Sequence, residues 1–220
     1  MIQDILDRLI KDRSSILLDI IKQRRSVRKF SPEPVSDKDI QMIIEAASMA
    51  PSATNSQNWR FIAVKSEDKR KELVKAIEEQ IKEYSALIKS QRAYNEFNAY
   101  ARYFTFFASA PLVIAVVKTP YTSFSVRIMQ RYGISPEALE AADSQGPSAA
   151  IQNMLLAAHA LELGACWMTG PLIAKEKLEK VLGVEQPDHL MALIPVGKTE
   201  SEAVPSAPKR KPIEEIFEIM

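Results

Sequence analysis

Two segments far apart in the chain gather cations beside small hydrogen-bond donors. The first, Arg24-Arg25-Ser26-Val27-Arg28-Lys29-Phe30, holds three guanidiniums and one hydroxyl within five positions. The second, Lys209-Arg210-Lys211, stands immediately before Pro-Ile-Glu-Glu-Ile. A planar guanidinium fork binds a phosphate through two parallel N–H···O bonds, and a serine hydroxyl adds a compact donor. A third segment, Ala-Pro-Ser-Ala-Thr-Asn-Ser-Gln-Asn-Trp at 50–59, offers small residues and amides suited to a polar loop. Either basic run alone reads as a solvated face. Together with the polar loop they form the set that an anionic organic cofactor requires: cations and donors drawn from separate parts of the chain.

The rest of the sequence excludes several alternatives. Its six glycines, at 133, 146, 164, 170, 183 and 197, match neither G-x-G-x-x-G nor a P-loop. There is no C-x-x-C, no H-E-x-x-H and no G-x-S-x-G, so neither a zinc site nor a serine-elbow hydrolase is expected, and no metal is assigned. His159 falls on an apolar helical stretch and reads as a core histidine. His189 lies in a turn, and the lone Cys166 reads as a small buried hydrophobe. If the chain is an enzyme, a bound cofactor supplies the hard chemistry. The formal net charge is +1, and the basic clusters lack interleaved aromatics, so nucleic acid is not an expected partner. Acidic residues interrupt the N-terminal apolar pattern, and no apolar run reaches the length of a membrane span. A soluble cytoplasmic protein is expected.

The elements that must position these residues follow from periodicity. Ile2, Ile5, Leu6, Leu9 and Ile10, then Ile16, Leu17, Ile20 and Ile21, have helical spacing with a break at "DRSS". Ser36-Asp37-Lys38-Asp39 caps a second helix whose stripe is Ile40, Ile43, Ile44 and Ala47, and Pro51 ends it. "WRFIAVK", "PLVIAVV", "ACWMT" and "LMALIPVG" read as strands, the second covered on both faces. Residues 67–90, "NEFNAYARYFTFFASA" and "AKEKLEKVLG" read as helices. So does a long helix with Pro147 at its start and Gly164 as its stop. Residues 119–146 read as a cap lobe. Residues 198–220 read as an arm whose ~15 proline-rich residues can reach roughly 50 Å, onto another subunit. It ends in "IEEIFEIM", an amphipathic element that needs a docking partner.

In this order, R-R-S-V-R, a capped helix, A-P-S-x-x-N-x-Q-x-W running into a strand, a Thr169-Gly170 segment and a basic pair before P-I-E-E resemble the nitroreductase family of FMN-dependent NAD(P)H oxidoreductases. The resemblance spans nearly the whole chain. It implies an α+β fold: one domain over 1–220, three α-β-α layers around a mostly antiparallel sheet, and an intertwined homodimer with shared active sites. It implies hydride transfer from NADH or NADPH through FMN to a nitroaromatic, quinone or similar flat small-molecule acceptor, in a ping-pong scheme. Flavin reductases and reductive dehalogenases share the fold and are the alternatives, beside a non-catalytic flavin-binding module. Carried over, the resemblance places Arg24, Arg25 and Ser26 at the FMN phosphate and ribityl chain, and Arg28 at the pyrimidine edge. Pro51, Ser52, Ala53 and Asn55 would come from the other subunit. Thr169 and Gly170 would face N5 and the dimethylbenzene side, and Lys209 with Arg210 would close over the phosphate. Tyr121 and Phe124 in the lobe are the substrate candidates, and Arg102 is a further cation near the flavin. No acidic residue follows Gly170, unlike in some family members, which bears on substrate preference.

Overall fold

The computed structural model describes residues 13–134, 142–200 and 207–220. The first eleven residues of the expected N-terminal helix, at 2–12, lie outside them, as do parts of the lobe and of the arm. Within the described residues, α1 runs Arg13–Gln23, α2 Asp37–Ser48, β1 Trp59–Val64, α3 Glu67–Leu87 and α4 Gln91–Ala101. β2 runs Leu112–Lys118, α5 Phe124–Arg131, α6 Ala142–Ala160, β3 Gly164–Ala165, α7 Lys175–Leu182 and β4 His189–Gly197.

The four strands form one antiparallel sheet in the order β1-β2-β4-β3. β2 is buried from Leu112 to Val117 because helices cover both of its faces. Alternate side chains serve two cores. Leu112, Ile114 and Val116 pack with Ile43 and Ala47 of α2 and with Ile151, Met154 and Ala158 of α6. Val113, Ala115 and Val117 pack with Leu73 and Ile77 of α3, Phe107 and Leu178 of α7. On β4 a bulge opposite Val116 and Val117 shifts the register, so Leu190 and Leu193 share one face while Ala192, Ile194 and Val196 share the other. The result is the three-layer α+β architecture expected from the sequence.

Local signals explain the ends. Ser36 Oγ accepts from the Asp39 amide at 3.0 Å and donates to Asp39 Oδ2 at 2.7 Å, closing the capping box of α2. Gly183 stops α7 in the left-handed region at φ 65°. Buried Glu179 of α7 accepts the Leu190 amide at 2.7 Å, which ties α7 to the start of β4.

Three expectations need correction. α6 starts at Ala142, so Pro147 lies inside the helix rather than at its first turn. Gly164 is not the helix stop. The chain turns at Glu162, which takes φ 59°, and the Leu163 amide returns to Ala158 O at 2.8 Å. Gly164 instead pairs with Gly197 in the sheet, where an added Cβ would stand 2.7 Å from three atoms of Val27. Finally, "NEFNAYARYFTFFASA" is not one helix. α4 ends at Ala101, and two short 3-10 turns, Arg102–Phe104 and Phe106–Ser109, carry the chain down to β2.

Ile194 is fully buried in the core beneath α6. Ile194→Ala should cost about 2–5 kcal/mol through lost burial and the cavity left behind. Urea unfolding should show a lower midpoint with an unchanged slope.

Candidate functional site

The basic segment is fixed to the edge of the sheet. Ser26 bridges Ala165, the Val27 amide donates to Ala165 O at 3.0 Å, Phe30 bridges Thr199, and the Ser31 amide donates to Lys198 O at 2.8 Å. Val27 and Phe30 turn inward, at 6% and 3% exposure. That leaves the cations facing out from an anchored backbone. Arg25 Nη1 donates to Lys22 O at 2.7 Å and to Arg24 O at 2.9 Å, capping the C-terminal end of α1. Arg28 Nη1 makes only a long 3.3 Å contact to Ser26 O. Among the described residues, no carboxylate pairs with Arg24, Arg25 or Arg28.

The charge is felt by two neighbours. Burial pushes the His159 imidazole below its ordinary value of 6.5, and Arg24 and Arg25 push it further the same way, so the ring is neutral at pH 7. Burial pushes the Cys166 thiol up, opposed by Arg28, by a hydrogen bond with Ser26 and by Arg24. Two cavities flank this edge. One, of about 560 Å³, lies between Arg25, His159, Glu162 and the Ile16–Ile20 face of α1. The other, of about 500 Å³, brings Arg28 together with Thr169 and Gly170. Its remaining wall is Tyr100, Tyr103, Phe104, Phe106, Cys166, Trp167, Met168 and Pro171. Gly170 is required here, because a Cβ would meet the Phe104 ring at 2.5 Å.

The polar loop is built elsewhere. Thr54, Asn55 and Gln57 all take positive φ, at 52°, 55° and 45°, a conformation that costs non-glycine residues energy. Side chains hold it there. Ser52 Oγ accepts the Gln57 amide at 2.9 Å, and Ser56 Oγ donates to Asn58 Oδ1 at 3.2 Å. Asn58, only 3% exposed, donates through Nδ2 to Asp143 O at 2.6 Å. That carbonyl is available because Pro147, four residues on, has no N–H to give it. Gly146 lets the loop approach: a Cβ there would meet Ser52 Cβ at 3.1 Å and Asn58 Oδ1 at 3.2 Å. Asp143 also pairs with Lys118 at 2.6 Å. Tyr121 joins this end, its hydroxyl 3.1 Å from Thr54 Oγ1.

The structure therefore sorts the expected residues into three groups. Arg24 and Arg25 lie beside His159 near the C-terminal end of α6, Ser26 follows them at the sheet edge, and Arg28 lines the neighbouring cavity with Thr169 and Gly170. Pro51, Ser52, Ala53, Asn55 and Tyr121 gather at the N-terminal end of α6, with Phe124 at the start of α5, 66% exposed. From Gly146 to His159 the helix rises about 20 Å, which separates the two groups within one chain. Lys209 and Arg210 form the third group, on an arm that is exposed throughout 207–220. Arg102 is exposed in its 3-10 turn and does not line the Arg28 cavity. Asn58 and the aromatic wall were not singled out from sequence. Tyr100, Tyr103 and Phe104 do have helical spacing, which was the available signal.

Known proteins resemble this chain over most of its length. The sequence model of the Nitroreductase family matches residues 21–198. The putative NAD(P)H nitroreductase YfhC of Bacillus subtilis is 27% identical over 203 residues, 92% of this chain and 93% of the relative. Iodotyrosine deiodinase of Hydra vulgaris is 30% identical over 223 residues, 96% of this chain and 75% of the relative. The crystal structure of a BluB-like flavoprotein from Clostridium difficile 630 superposes with a TM-score of 0.85 at 30% identity, covering 93% of this chain and 98% of that one.

Asn58→Ala should free the Asp143 carbonyl and release Ser56. The expected cost is about 1–3 kcal/mol for the unpaired buried group. Hydrogen exchange should accelerate in 53–57 and stay slow in β2; unchanged exchange in the loop would show that other contacts hold it.

Proposed function

The chain belongs to the Nitroreductase family, and on that premise we propose that it is an FMN-dependent oxidoreductase carrying electrons from NADH or NADPH to a flat acceptor, a nitroaromatic or a quinone, in ping-pong order. The carrying observation is the anchored cluster of guanidiniums, of which Arg28 lines a cavity with Thr169 and Gly170. When bound, FMN supplies two-electron storage between reductant and acceptor. Each group of residues fits a part of that molecule. Arg24, Arg25 and Ser26 suit the phosphate and ribityl chain. Arg28 suits the pyrimidine edge, where a cation stabilises negative charge at N1 and O2. Thr169 and Gly170 suit N5 and the dimethylbenzene side, and Lys209 with Arg210 would close over the phosphate.

The ~20 Å between the two ends of α6 supports a site completed by Pro51, Ser52, Ala53 and Asn55 of the partner subunit. Two uncovered apolar surfaces favour the same homodimer. Ile16, Leu17, Leu18 and Ile21 of α1 are 44–53% exposed, and Ile213, Ile216, Phe217 and Ile219 of the arm are 61–83% exposed. No helix among the described residues is long and apolar enough to cross a membrane. Reductive dehalogenation of an aromatic ring is the second reading, favoured by the 30% identity to a deiodinase. The same residues would serve it.

The purified protein should be yellow and should bleach anaerobically with NADH or NADPH. Release of iodide from an iodophenol by the reduced protein would select the second reading. A protein still colourless after incubation with FMN and desalting would overturn both. Arg24→Ala should weaken FMN about 10- to 150-fold, the effect of one charge-assisted hydrogen bond, and leave largely flavin-free protein with an unchanged circular dichroism spectrum. Full occupancy in that variant would place the phosphate elsewhere.

A further inference from the structure

The Arg28 cavity has a wall that the proposed flavin contacts leave unused. Tyr100 and Tyr103 stand at its rim, 65% and 60% exposed, although each is a large aromatic. They are not loose. The Tyr100 ring sits 5.5 Å from Phe104 in an edge-to-face pair at 89°, and 6.1 Å from Tyr103 at 57°. Phe104 is itself buried and pressed against Gly170, whose missing side chain makes room for it. Trp167, 36% exposed, faces the same space. An ordered aromatic pair held open to a cavity is a costly arrangement for a surface, because water gains nothing from it. It is a favourable one for a planar ligand, which gains offset or edge-to-face stacking beyond simple burial.

We infer that Tyr100 and Tyr103 form the acceptor-binding wall of the site and select a planar aromatic ring, which they hold beside the Thr169–Gly170 turn. This rests on the reading that Arg28, Thr169 and Gly170 border the flavin ring. An acceptor that receives electrons there must lie in the same cavity, and Tyr100 and Tyr103 are the most exposed rings that line it. The rings, rather than their hydroxyls, carry the effect: neither hydroxyl has a hydrogen bond among the described residues that fixes it toward a partner. Tyr121 and Phe124 belong to the other end of α6 and would reach this cavity only from a partner subunit.

The test compares a quinone, menadione, with ferricyanide, which has no ring to stack. For Tyr100→Leu and Tyr103→Leu, the ratio of kcat/KM for menadione to that for ferricyanide should fall about 3- to 10-fold each, the size of one lost ring contact. Tyr100→Phe and Tyr103→Phe should restore it. A second readout does not depend on turnover. Menadione should quench Trp167 emission, and the double leucine variant should need about tenfold more menadione for half quenching. An unchanged ratio and an unchanged quenching midpoint in the double variant would overturn the inference. FMN content is measured on the same samples: a flavin-free wild type would sink the proposed function, while the quenching series would still decide whether the wall binds a ring.

Discussion

A single hydrogen bond across a gap made by proline organises this molecule. Pro147 sits inside α6, so the Asp143 carbonyl has no helical partner, and the side chain of Asn58 supplies one. Gly146 removes the side chain that would block the approach. This junction joins the Ser52–Gln57 and Thr54–Tyr121 hydrogen bonds in holding a loop with three non-glycine residues at positive φ. With it, the loop has a fixed place at one end of a 19-residue helix that also forms the floor of the sheet. The other end of the same helix carries His159 beside Arg24 and Arg25. α6 is thus both the structural spine and the spacer that keeps the two halves of the site apart within one chain.

The basic segment shows how an unfavourable arrangement is held. Guanidiniums close together repel one another, and nearby carboxylates would ordinarily answer them. Here the backbone is hydrogen-bonded to β3 and to the end of β4 while Val27 and Phe30 are buried, each apolar side chain worth about 1.5–3 kcal/mol. That burial holds the segment in place, and among the described residues no ion pair with a carboxylate forms at Arg24, Arg25 or Arg28. Burial holds the His159 imidazole below its ordinary value, with Arg24 and Arg25 pushing the same way, and raises the Cys166 thiol against the opposing pull of Arg28 and Arg24. An anion bound among these groups would find them positioned in advance.

Much of this was legible in the sequence, for identifiable reasons. The strand at 111–117 was readable because a continuous apolar run needs cover on both faces, and the cap at Ser36 because its hydroxyl and Asp39 satisfy each other. Residues 24–28 taken alone read as a solvated face, and only their combination with the polar loop at 50–59 and the basic run at 209–211 points to an anion. What could not be read depended on partners distant in the chain. Pro147 looked like a helix start because proline is usually tolerated there; only the side chain of Asn58, 85 positions of separation from Asp143, explains its place farther in. Gly164 looked like a helix stop, but its role is to accommodate Val27. The aromatic wall is not legible in the sequence because Tyr100, Tyr103 and Phe104 have the spacing of an ordinary buried stripe, and nothing local says that two of them face outward.

The chain has two tryptophans, and the fold has put one at each end of its spine. Trp59 follows the polar loop, and a Cβ added at Gly146 would stand 3.4 Å from its ring, while Trp167 borders the cavity of Arg28. Tryptophan emission from this protein is therefore a two-channel optical signal. One channel reports the junction at the start of α6 and the other the cavity beyond its end, with the rest of the molecule dark.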